Sequence, residues 1–331
     1  MTTITSIGIG NMGAALATAL LNASSDPQKP TSLTIWNRTP NRPQVTALIT
    51  AGAHFEPSLP AAIAHSSILL LCLFDYDAIT AAFSLLQHPE SSPLAGKTII
   101  NLTNGTPNEA RAMETYMKRL GAAAYFDGGI MVTPQLVGTP ASFVILSSGS
   151  SESGSQPEAG VFETDIAPVL KPIGAIQYVS SSDAGAASLY DVAALAAMYG
   201  MFMGAFTGIA LLKRGLRRST VQGGEDEKEG GEEKLAAAKP ATDAVTVPLL
   251  AALVPYVSLL AAGADKEDWL EDDMGNPLAM QAAGMRNILR ACEEEGVDGS
   301  GMRFISELMD RAVQEGLGAG AVTAISKYLF K

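Results

Sequence analysis

Short runs of hydrophobic residues alternate with amphipathic stretches along the first half of the chain. The run at 67–74, SILLLCLF, is almost continuously apolar, which is typical of a parallel strand buried on both faces. Comparable runs predict strands at 3–10, 32–36, 97–103, 123–132 and 141–149. Helical patterns lie between them, at 11–23, 37–53 (after a turn), 77–86 and 108–122. This alternation predicts an α/β fold built on a doubly wound parallel sheet.

Beyond Asp183 the pattern is helical, with little strand signal. It predicts helices at 184–214, 243–262, 277–295, 302–315 and 319–330. We therefore expect four parts: an α/β domain at 1–182, a long interdomain helix at 183–214, a charged flexible insertion at 215–242, and an all-α C-terminal domain at 243–331. The core of the insertion, 219–241, is rich in Glu, Lys and Gly, which is typical of a solvated, partly disordered loop.

The long predicted helix is apolar on all sides. Residues 192–212, VAALAAMYGMFMGAFTGIALL, are enough to span a bilayer. They are rich in Ala, Gly and Met, poor in long aliphatic residues, and follow Asp191 directly. This composition favours a helix buried in a domain core or a subunit interface over a membrane span.

Composition and charge exclude several classes of protein. The chain has 331 residues, 47% of them hydrophobic, and a formal net charge of −12, which argues against a nucleic-acid binder. Its two cysteines, Cys72 and Cys292, are far apart and its three histidines lack metal-ligand spacing, so we expect neither a disulfide framework nor a metal site. The N-terminal segment lacks the basic region of a signal peptide, so we expect a cytoplasmic protein with no membrane partner.

A glycine motif connects the first predicted strand to the first predicted helix. Residues 8–13, Gly-Ile-Gly-Asn-Met-Gly, form a GxGxxG at the opening of a βαβ unit. Glycines there permit a tight turn and the close approach of a pyrophosphate, and the helix N-terminus offers N–H groups and a positive dipole end. The motif predicts a Rossmann-type dinucleotide site that includes Gly8, Gly10, Asn11, Met12 and Gly13.

The end of the second strand indicates which dinucleotide binds. NAD-specific sites carry an acidic residue there, but this chain has Asn37, Arg38 and Thr39, followed by Arg42. The Arg38 guanidinium can pair with a 2′-phosphate, its two neighbours offer further hydrogen bonds, and Arg42 offers a second positive charge. The sequence therefore favours NADP(H) over NAD(H), with a solvated turn arginine as the alternative interpretation.

Three later motifs narrow the family. GIGNMGAALATALL followed by WNRT resembles the β-hydroxyacid dehydrogenase superfamily, which includes 6-phosphogluconate dehydrogenase. IINLTNGTP at 99–107, GGIMVTPQLVGTP at 128–140 and SLYDVAALAAMYGMF at 188–202 resemble imine reductases, most closely their fungal reductive-aminase branch. The resemblance covers nearly the whole chain, and the charged insertion lies outside it. It implies hydride transfer from NADPH to an imine or iminium carbon.

The departures from the hydroxyacid dehydrogenases point to the same chemistry. Those enzymes use a lysine on the interdomain helix, whereas this chain has no lysine at 172–212 and carries Asp191. They also hold a substrate carboxylate in a Ser-Gly-Gly turn, where this chain has Val132-Thr133-Pro134, and Pro134 has no N–H to donate. A site without the lysine and the anion cradle is better suited to a cationic nitrogen.

The resemblance also assigns residues to roles. Asp191 would orient the amine and handle its proton, either as an acid with a raised pKa or as an ionised anchor. Tyr199, about 80° round the helix at ~100° per residue, would donate a hydrogen bond to the substrate, or else pack in the core. Asn104 would lie near the nicotinamide, or else only form a turn before Gly105.

Further family positions fall on both predicted domains. Leu73, Asn104 and Thr106 match cofactor-binding positions, and the substrate pocket would be lined by Met131, Thr133, Tyr256, Met280 and Gln281, with plain core packing as the alternative for the last three. The resemblance further implies an intertwined homodimer whose active sites are shared between subunits. Two alternative functions stay open. One is an NADP-dependent β-hydroxyacid dehydrogenase of the 3-hydroxyisobutyrate type, and the other is a non-catalytic NADP(H)-binding protein.

Overall fold

A computed structural model of the chain describes residues 3–23, 32–84, 86, 94–149, 160–180, 182–221, 237–271 and 275–329. The chain divides into two compact units, Met1–Ala196 and Ala197–Lys331. The first unit contains the whole sheet, and the described part of the second unit is helical. The predicted α/β domain and helical C-terminal region are thus both present.

The first unit is built on an eight-stranded sheet in the order β3-β2-β1-β4-β5-β6-β7-β8. Its strands are β1 Thr3–Ile7, β2 Ser32–Trp36, β3 His54–Phe55, β4 Ile68–Leu71, β5 Thr98–Asn101, β6 Ala124–Ile130, β7 Phe143–Ser147 and β8 Ala175–Ser180. Neighbours pair in parallel except β6 and β7, which are antiparallel. The order of the first six strands is that of dinucleotide-binding sheets, which confirms the predicted Rossmann-type architecture.

Buried side chains cover both faces of this sheet. Along β4, Leu69 and Leu71 pack into one apolar cluster while Leu70 packs into the other, and all three are fully buried. Side chains alternate between the two faces of a strand, so half of the residues in this run pack against the helices on one side of the sheet and half against those on the other. The continuous hydrophobicity of 67–74 has this physical origin.

Helices of the first unit flank the sheet. They are α1 Asn11–Ala23, α2 Pro43–Thr50, α3 Leu59–Ala64, α4 Tyr76–Ser84, α5 Pro107–Arg119 and α6 Ala167–Leu170, which continues a π-helical segment at Phe162–Ile166. A short 3-10 helix lies at Pro134–Leu136. Sequence reasoning missed β3, α3, the helical segment before β8, and β8 itself. Strand β3 has only two residues, and β8 is an edge strand whose half-exposed residues give little apolar signal.

The remaining helices begin at the end of the first unit and fill the second. They are α7 Ala186–Val221, α8 Lys239–Ala241, α9 Val247–Leu253, α10 Tyr256–Lys266, α11 Leu278–Glu295 and α12 Ser300–Ala312. The described residues of the second unit also form two π-helical segments, Thr242–Thr246 and Val313–Leu317, and a 3-10 helix at Val322–Tyr328. The helix expected at 243–262 is broken before Tyr256, where Pro255 has no N–H to continue the hydrogen-bond ladder.

Helix α7 differs from its prediction in length and burial. It extends past Arg214, the predicted end, to Val221, because the leucine and the arginines that follow favour helix despite Gly215. The predicted burial in a domain core is wrong, because the single chain leaves most of the helix uncovered, and the alternative of burial in a subunit interface stays a prediction. The span Ala186–Leu216 is long and apolar enough to cross a bilayer by length and composition, a test that core helices of soluble proteins also pass, and only 6% of its most apolar window is buried.

The two ends of the predicted flexible insertion are helical. Residues 215–221 belong to α7, and Lys239–Ala241 form α8. The stretch between them, 222–236, lies outside the described residues. In the second unit, a core of Leu278, Ala282, Met309, Ala312 and Ala324 holds α11, α12 and the final 3-10 helix together.

Candidate active site

The loop between β1 and α1 has a shape that only glycine permits. Gly8 has φ +95°, and a Cβ there would lie 2.4 Å from the Cys72 carbonyl oxygen. A Cβ at Gly13 would lie 2.0 Å from the Gly8 carbonyl oxygen. These two glycines let the turn close tightly against the end of β4 and against itself.

The middle glycine of the motif faces open space. A Cβ at Gly10 would meet no atom within 4 Å, and Gly10 borders a cavity of about 480 Å³ at the N-terminus of α1. The first N–H groups of a helix have no partner within it and attract phosphate. The cavity volume lies within the range of about 300–1,000 Å³ that ligand pockets occupy. The loop therefore offers a cradle for a pyrophosphate.

The predicted specificity residues line the same cavity. Asn37 is a structural tie, because its Oδ1 accepts a hydrogen bond from the Ile9 N–H at 2.9 Å while its Nδ2 donates to the Thr39 carbonyl at 2.7 Å. Arg38, Thr39 and Arg42 are exposed at the cavity wall, where cationic groups suit a phosphate. The donor set therefore fits NADP, whose 2′-phosphate distinguishes it from NAD.

Other predicted cofactor residues divide into two groups. Asn11, Met12 and Leu73 border the cavity. The amide of Asn11 is held in place, because its Oδ1 accepts a hydrogen bond from Gln44 Nε2 at 2.8 Å. Thr106 is the N-cap of α5, where it forms a capping box with Glu109. Its hydroxyl is thereby engaged in the protein, which gives Thr106 a structural role beside the predicted one.

Asp191 and Asn104 are hydrogen-bonded to each other. Asn104, in the loop after β5, donates from Nδ2 to Asp191 Oδ2 at 2.6 Å, although 87 residues separate the two in sequence. Asp191 is only 7% exposed. Burial raises the pKa of Asp191, and the hydrogen bond from Asn104 opposes that shift. The structure thus brings together two of the three predicted catalytic side chains, and Asp191 is not a surface residue.

The end of β6 forms a wall beside this carboxylate. A Cβ at Gly129 would lie 3.2 Å from Asp191 Cγ and 2.8 Å from Met131 Cε, so a larger residue would displace the carboxylate. Met131, predicted to line the substrate pocket, is half-buried, and its side chain and that of Asp191 both border Gly129. Thr133, also predicted for the pocket, is exposed as the N-cap of the 3-10 helix at Pro134–Leu136.

A second buried carboxylate escaped sequence reasoning. Asp127, in the middle of β6, is fully buried. Its Oδ2 accepts hydrogen bonds from Tyr125 Oη at 2.6 Å, Tyr76 Oη at 2.7 Å and Asn101 Nδ2 at 3.1 Å, and its Oδ1 accepts from Ser188 Oγ at 2.7 Å. Burial raises the pKa of Asp127 to about 6 even though all four donors lower it. The available signal was an aspartate inside an otherwise apolar strand, AYFDGGI.

The remaining predicted residues belong to the second unit. Tyr199, Tyr256 and Met280 are exposed in the single chain, and Tyr199 packs edge-on against Phe202. Gln281 donates from Nε2 to the Asn276 carbonyl at 2.7 Å. The core-packing alternative does not describe the three exposed side chains, and their assignment to the substrate pocket stays a prediction.

Two of the three histidines meet at the sheet edge, which their spacing in sequence did not indicate. The potential ligand atoms of His54, Glu56 and His65 all lie within 4.8 Å of one another. The side chains are exposed or half-exposed, and Glu56 also accepts a hydrogen bond from the Ser58 N–H. They are separate from the cofactor cavity, whose lining includes none of them.

Two family models match this chain, one in its N-terminal part and one in its C-terminal part. Residues 3–152 match the family described as the NAD-binding domain of 6-phosphogluconate dehydrogenase. Residues 231–331 match the family described as the C-terminal domain of NADPH-dependent reductive aminase-like proteins, so part of the predicted insertion lies within that match.

Whole-chain relatives agree with these matches. An NADPH-dependent reductive aminase from Aspergillus oryzae is 32% identical over 322 residues, which cover 97% of this chain and 95% of that protein. A reductive aminase from Aspergillus terreus, solved with NADPH and ethyl levulinate, is 34% identical, with a TM-score of 0.80 and 99% of each chain covered. A structure of a reductive aminase from Aspergillus terreus with NADPH4, cyclohexanone and allyl amine is 33% identical, with a TM-score of 0.78 and 99% of each chain covered.

Proposed function

Because the chain belongs to the NADPH-dependent reductive aminase family, we propose that it reduces the C=N bond of an imine or iminium to an amine with NADPH. The observation that carries this proposal is the buried Asp191 carboxylate of α7, which accepts a hydrogen bond from Asn104, in a stretch of chain (172–212) that contains no lysine. The cofactor supplies the hydride, and the residues of this chain hold the substrate nitrogen and its proton.

The charge of Asp191 selects the substrate. A carboxylate in a site of low polarity attracts a cation strongly and repels an alkoxide or a second carboxylate. An iminium carries its positive charge on the nitrogen and is the more reactive form toward hydride. Asp191 therefore stabilises the reactive form of an imine. The lysine that the resembling hydroxyacid dehydrogenases use on this helix is absent at 172–212, and its positive charge would repel that form.

The raised pKa of Asp191 supports a role in proton exchange. Burial brings this pKa closer to neutrality, where a carboxyl group can both give and accept a proton within a catalytic cycle. The same carboxyl can then take a proton from the ammonium of an arriving amine and return it to the nitrogen during reduction. Asn104 keeps Oδ2 in place, so that Oδ1 can face the substrate.

Imine formation from a ketone and an amine belongs to the same proposal. It is supported by the relative solved with cyclohexanone and allyl amine, which is 33% identical to this chain. Condensation of the two needs proton transfer on and off nitrogen and oxygen, which a carboxyl group with a raised pKa can mediate.

A three-substrate assay tests the function. Purified protein with NADPH is offered a cyclic imine such as a pyrroline, then a ketone with excess amine, and, with NADP, 3-hydroxyisobutyrate. Oxidation of NADPH with the imine, or with the ketone plus amine, is the expected result. Turnover of the hydroxy acid alone would establish the dehydrogenase instead, and tight NADPH binding without turnover would establish a non-catalytic binding protein.

We also propose that a second copy of the chain covers the exposed apolar surface of α7 as an intertwined homodimer. In the single chain, Tyr199 and Phe206 are each 63% exposed, and Phe202 lies between them. Further apolar residues of the second unit are exposed at Val245, Val254 and Val257. A group of exposed apolar side chains of this kind is typical of a protein–protein interaction surface.

Measurement of the molar mass in solution tests the homodimer. Light scattering without detergent should give twice the mass of the chain, and Phe206→Glu should lower it toward one chain, because it places a charge in the interface. Ile49→Glu, a matched change at an exposed position of α2, should leave the dimer intact. If active sites are shared, the monomeric variant should bind NADPH but lose turnover. A protein that stays in solution only with detergent, and is then monomeric, would contradict the dimer and favour a helix that lies in a membrane.

A further inference from the structure

We infer that Asp127 is a positioning residue for catalysis: its buried carboxylate fixes both the loop of Asn104 and the helix turn of Asp191 without touching the substrate. The inference rests on the proposed function, because it assigns Asp127 a task within the same site. It arises from the convergence of donors from three separate elements, α4, β5 and α7, on one carboxylate of β6.

The link to Asp191 runs along the first turns of α7. Ser188 donates to Asp127 Oδ1 at 2.7 Å and lies three residues before Asp191, so the two side chains occupy neighbouring positions on one helix face. The hydrogen bond fixes the rotation of this turn against β6. Because Gly129 leaves little room beside Asp191 Cγ, a small rotation of the helix would move the carboxylate away from Asn104.

The link to Asn104 runs through two residues. Asn101 donates from Nδ2 to Asp127 Oδ2, and its Oδ1 accepts a hydrogen bond from the Thr103 N–H at 3.1 Å, next to Asn104. Tyr76 donates to the same Oδ2, and its ring packs so closely on Gly105 that a Cβ there would lie 2.3 Å from Tyr76 Cε2. The loop is therefore held by hydrogen bonds on one side of Asn104 and by an aromatic ring on the other.

The arrangement requires an ionised Asp127. Each of the four groups donates its hydrogen to the carboxylate, and a protonated carboxyl would bring a fifth hydrogen into a site already filled with donors. Loss of any one of these donors leaves the buried charge less well compensated. Asp127 therefore ties the three elements together more tightly than a neutral residue of the same shape would.

Two substitutions test the inference, with kcat, KM and NADPH affinity measured at pH 8 on a preformed cyclic imine. Ser188→Ala removes the link to α7 and should lower kcat about ten- to hundredfold, since small misplacements of a catalytic group cost this much. Asp127→Asn should lower kcat further. Affinity for NADPH should stay within about twofold in both variants, because the cofactor cavity includes neither residue. Ser188→Thr, which keeps the hydroxyl, should restore most of kcat.

Two controls distinguish the positioning role of Asp127 from a general effect on the stability of the protein. Ser66→Ala removes another buried hydroxyl, which accepts a hydrogen bond from Thr5 Oγ1 at 2.9 Å, and should lower the melting temperature while leaving kcat unchanged. In an Asp191→Asn background, Ser188→Ala should cause little further loss, because its effect passes through Asp191.

Two results would overturn the inference while leaving the proposed function intact. One is a wild-type kcat in Ser188→Ala, or a loss no larger than that of Ser66→Ala. The other is a full additional loss in the Asp191→Asn background. Absence of imine turnover in the wild-type protein would instead contradict the proposed function itself.

Discussion

The nucleotide cavity and the Asp191 site lie in the same unit but are built differently. The cavity is formed by one local loop whose shape depends on backbone atoms and on the absence of side chains at Gly8, Gly10 and Gly13. The Asp191 site is formed by side chains from four elements, and its hydrogen-bonded partners are up to 87 residues apart in sequence. A local backbone site can be read as a motif, whereas a site of converging side chains depends on how the sheet and helices pack.

The largest expected effect belongs to the side-chain site. Asp191→Asn keeps the shape of the side chain and removes its charge and its proton. We expect turnover of a cyclic imine to fall about 10²–10⁴-fold, as is typical for loss of a general acid–base group. NADPH affinity, measured by quenching of protein fluorescence, should be unchanged, and a fully active variant would contradict the role of Asp191.

A methyl group added in the cavity should weaken cofactor binding, which Asp191→Asn leaves unchanged. Gly10→Ala places a Cβ in the open space where the pyrophosphate approaches, so it should weaken NADPH binding about 10–100-fold without lowering the melting temperature. Gly160→Ala is the matched control, since its Cβ also meets nothing within 4 Å but does not border the cavity. Unchanged NADPH affinity in Gly10→Ala would place the pyrophosphate elsewhere.

The third effect is specific for one cofactor. Arg38→Ala should weaken NADPH binding about tenfold, since a charge-assisted hydrogen bond from an exposed side chain to the 2′-phosphate contributes about 1.5 kcal/mol. NADH lacks that phosphate, so its affinity should stay the same and provides an internal control. An equal loss for both cofactors would show that Arg38 does not read the 2′-phosphate.

The smallest expected effect is a shift in the pH dependence of kcat/KM. Burial raises the pKa of Asp191 and the Asn104 hydrogen bond lowers it, so Asn104→Ala should raise that pKa further. With an N-alkylated cyclic iminium, which carries no titrating proton, activity requires the carboxylate and falls as the pH drops through its pKa. The acidic limb of kcat/KM should therefore move to higher pH in Asn104→Ala.

The control for that shift lies in the cavity. Asn11→Ala removes an amide that contacts Gln44 rather than Asp191, so it should leave the acidic limb in place. A limb that stays fixed or moves to lower pH in Asn104→Ala would show that Asn104 does not stabilise the ionised carboxylate.

Most of the sheet, the cofactor and the family could be predicted from the sequence alone. The apolar runs predicted six of the eight strands, because strands buried on both faces must be hydrophobic at every position. The glycine motif and Arg38 predicted the cofactor, because phosphate recognition by a loop and a helix N-terminus is local in the chain. The resemblance of the later motifs identified the family, which the comparisons confirm.

The tertiary structure alone decided how the acidic residues are used. Nothing in the spacing of Asp127, Ser188 and Asn101 indicates that they meet, because they lie on different elements that converge only when the sheet and α7 pack. The exposure of α7 was decided in the same way, since an apolar sequence does not specify whether its own chain covers it. Periodicity records which face of an element is buried, but the partners across that face are selected by the fold.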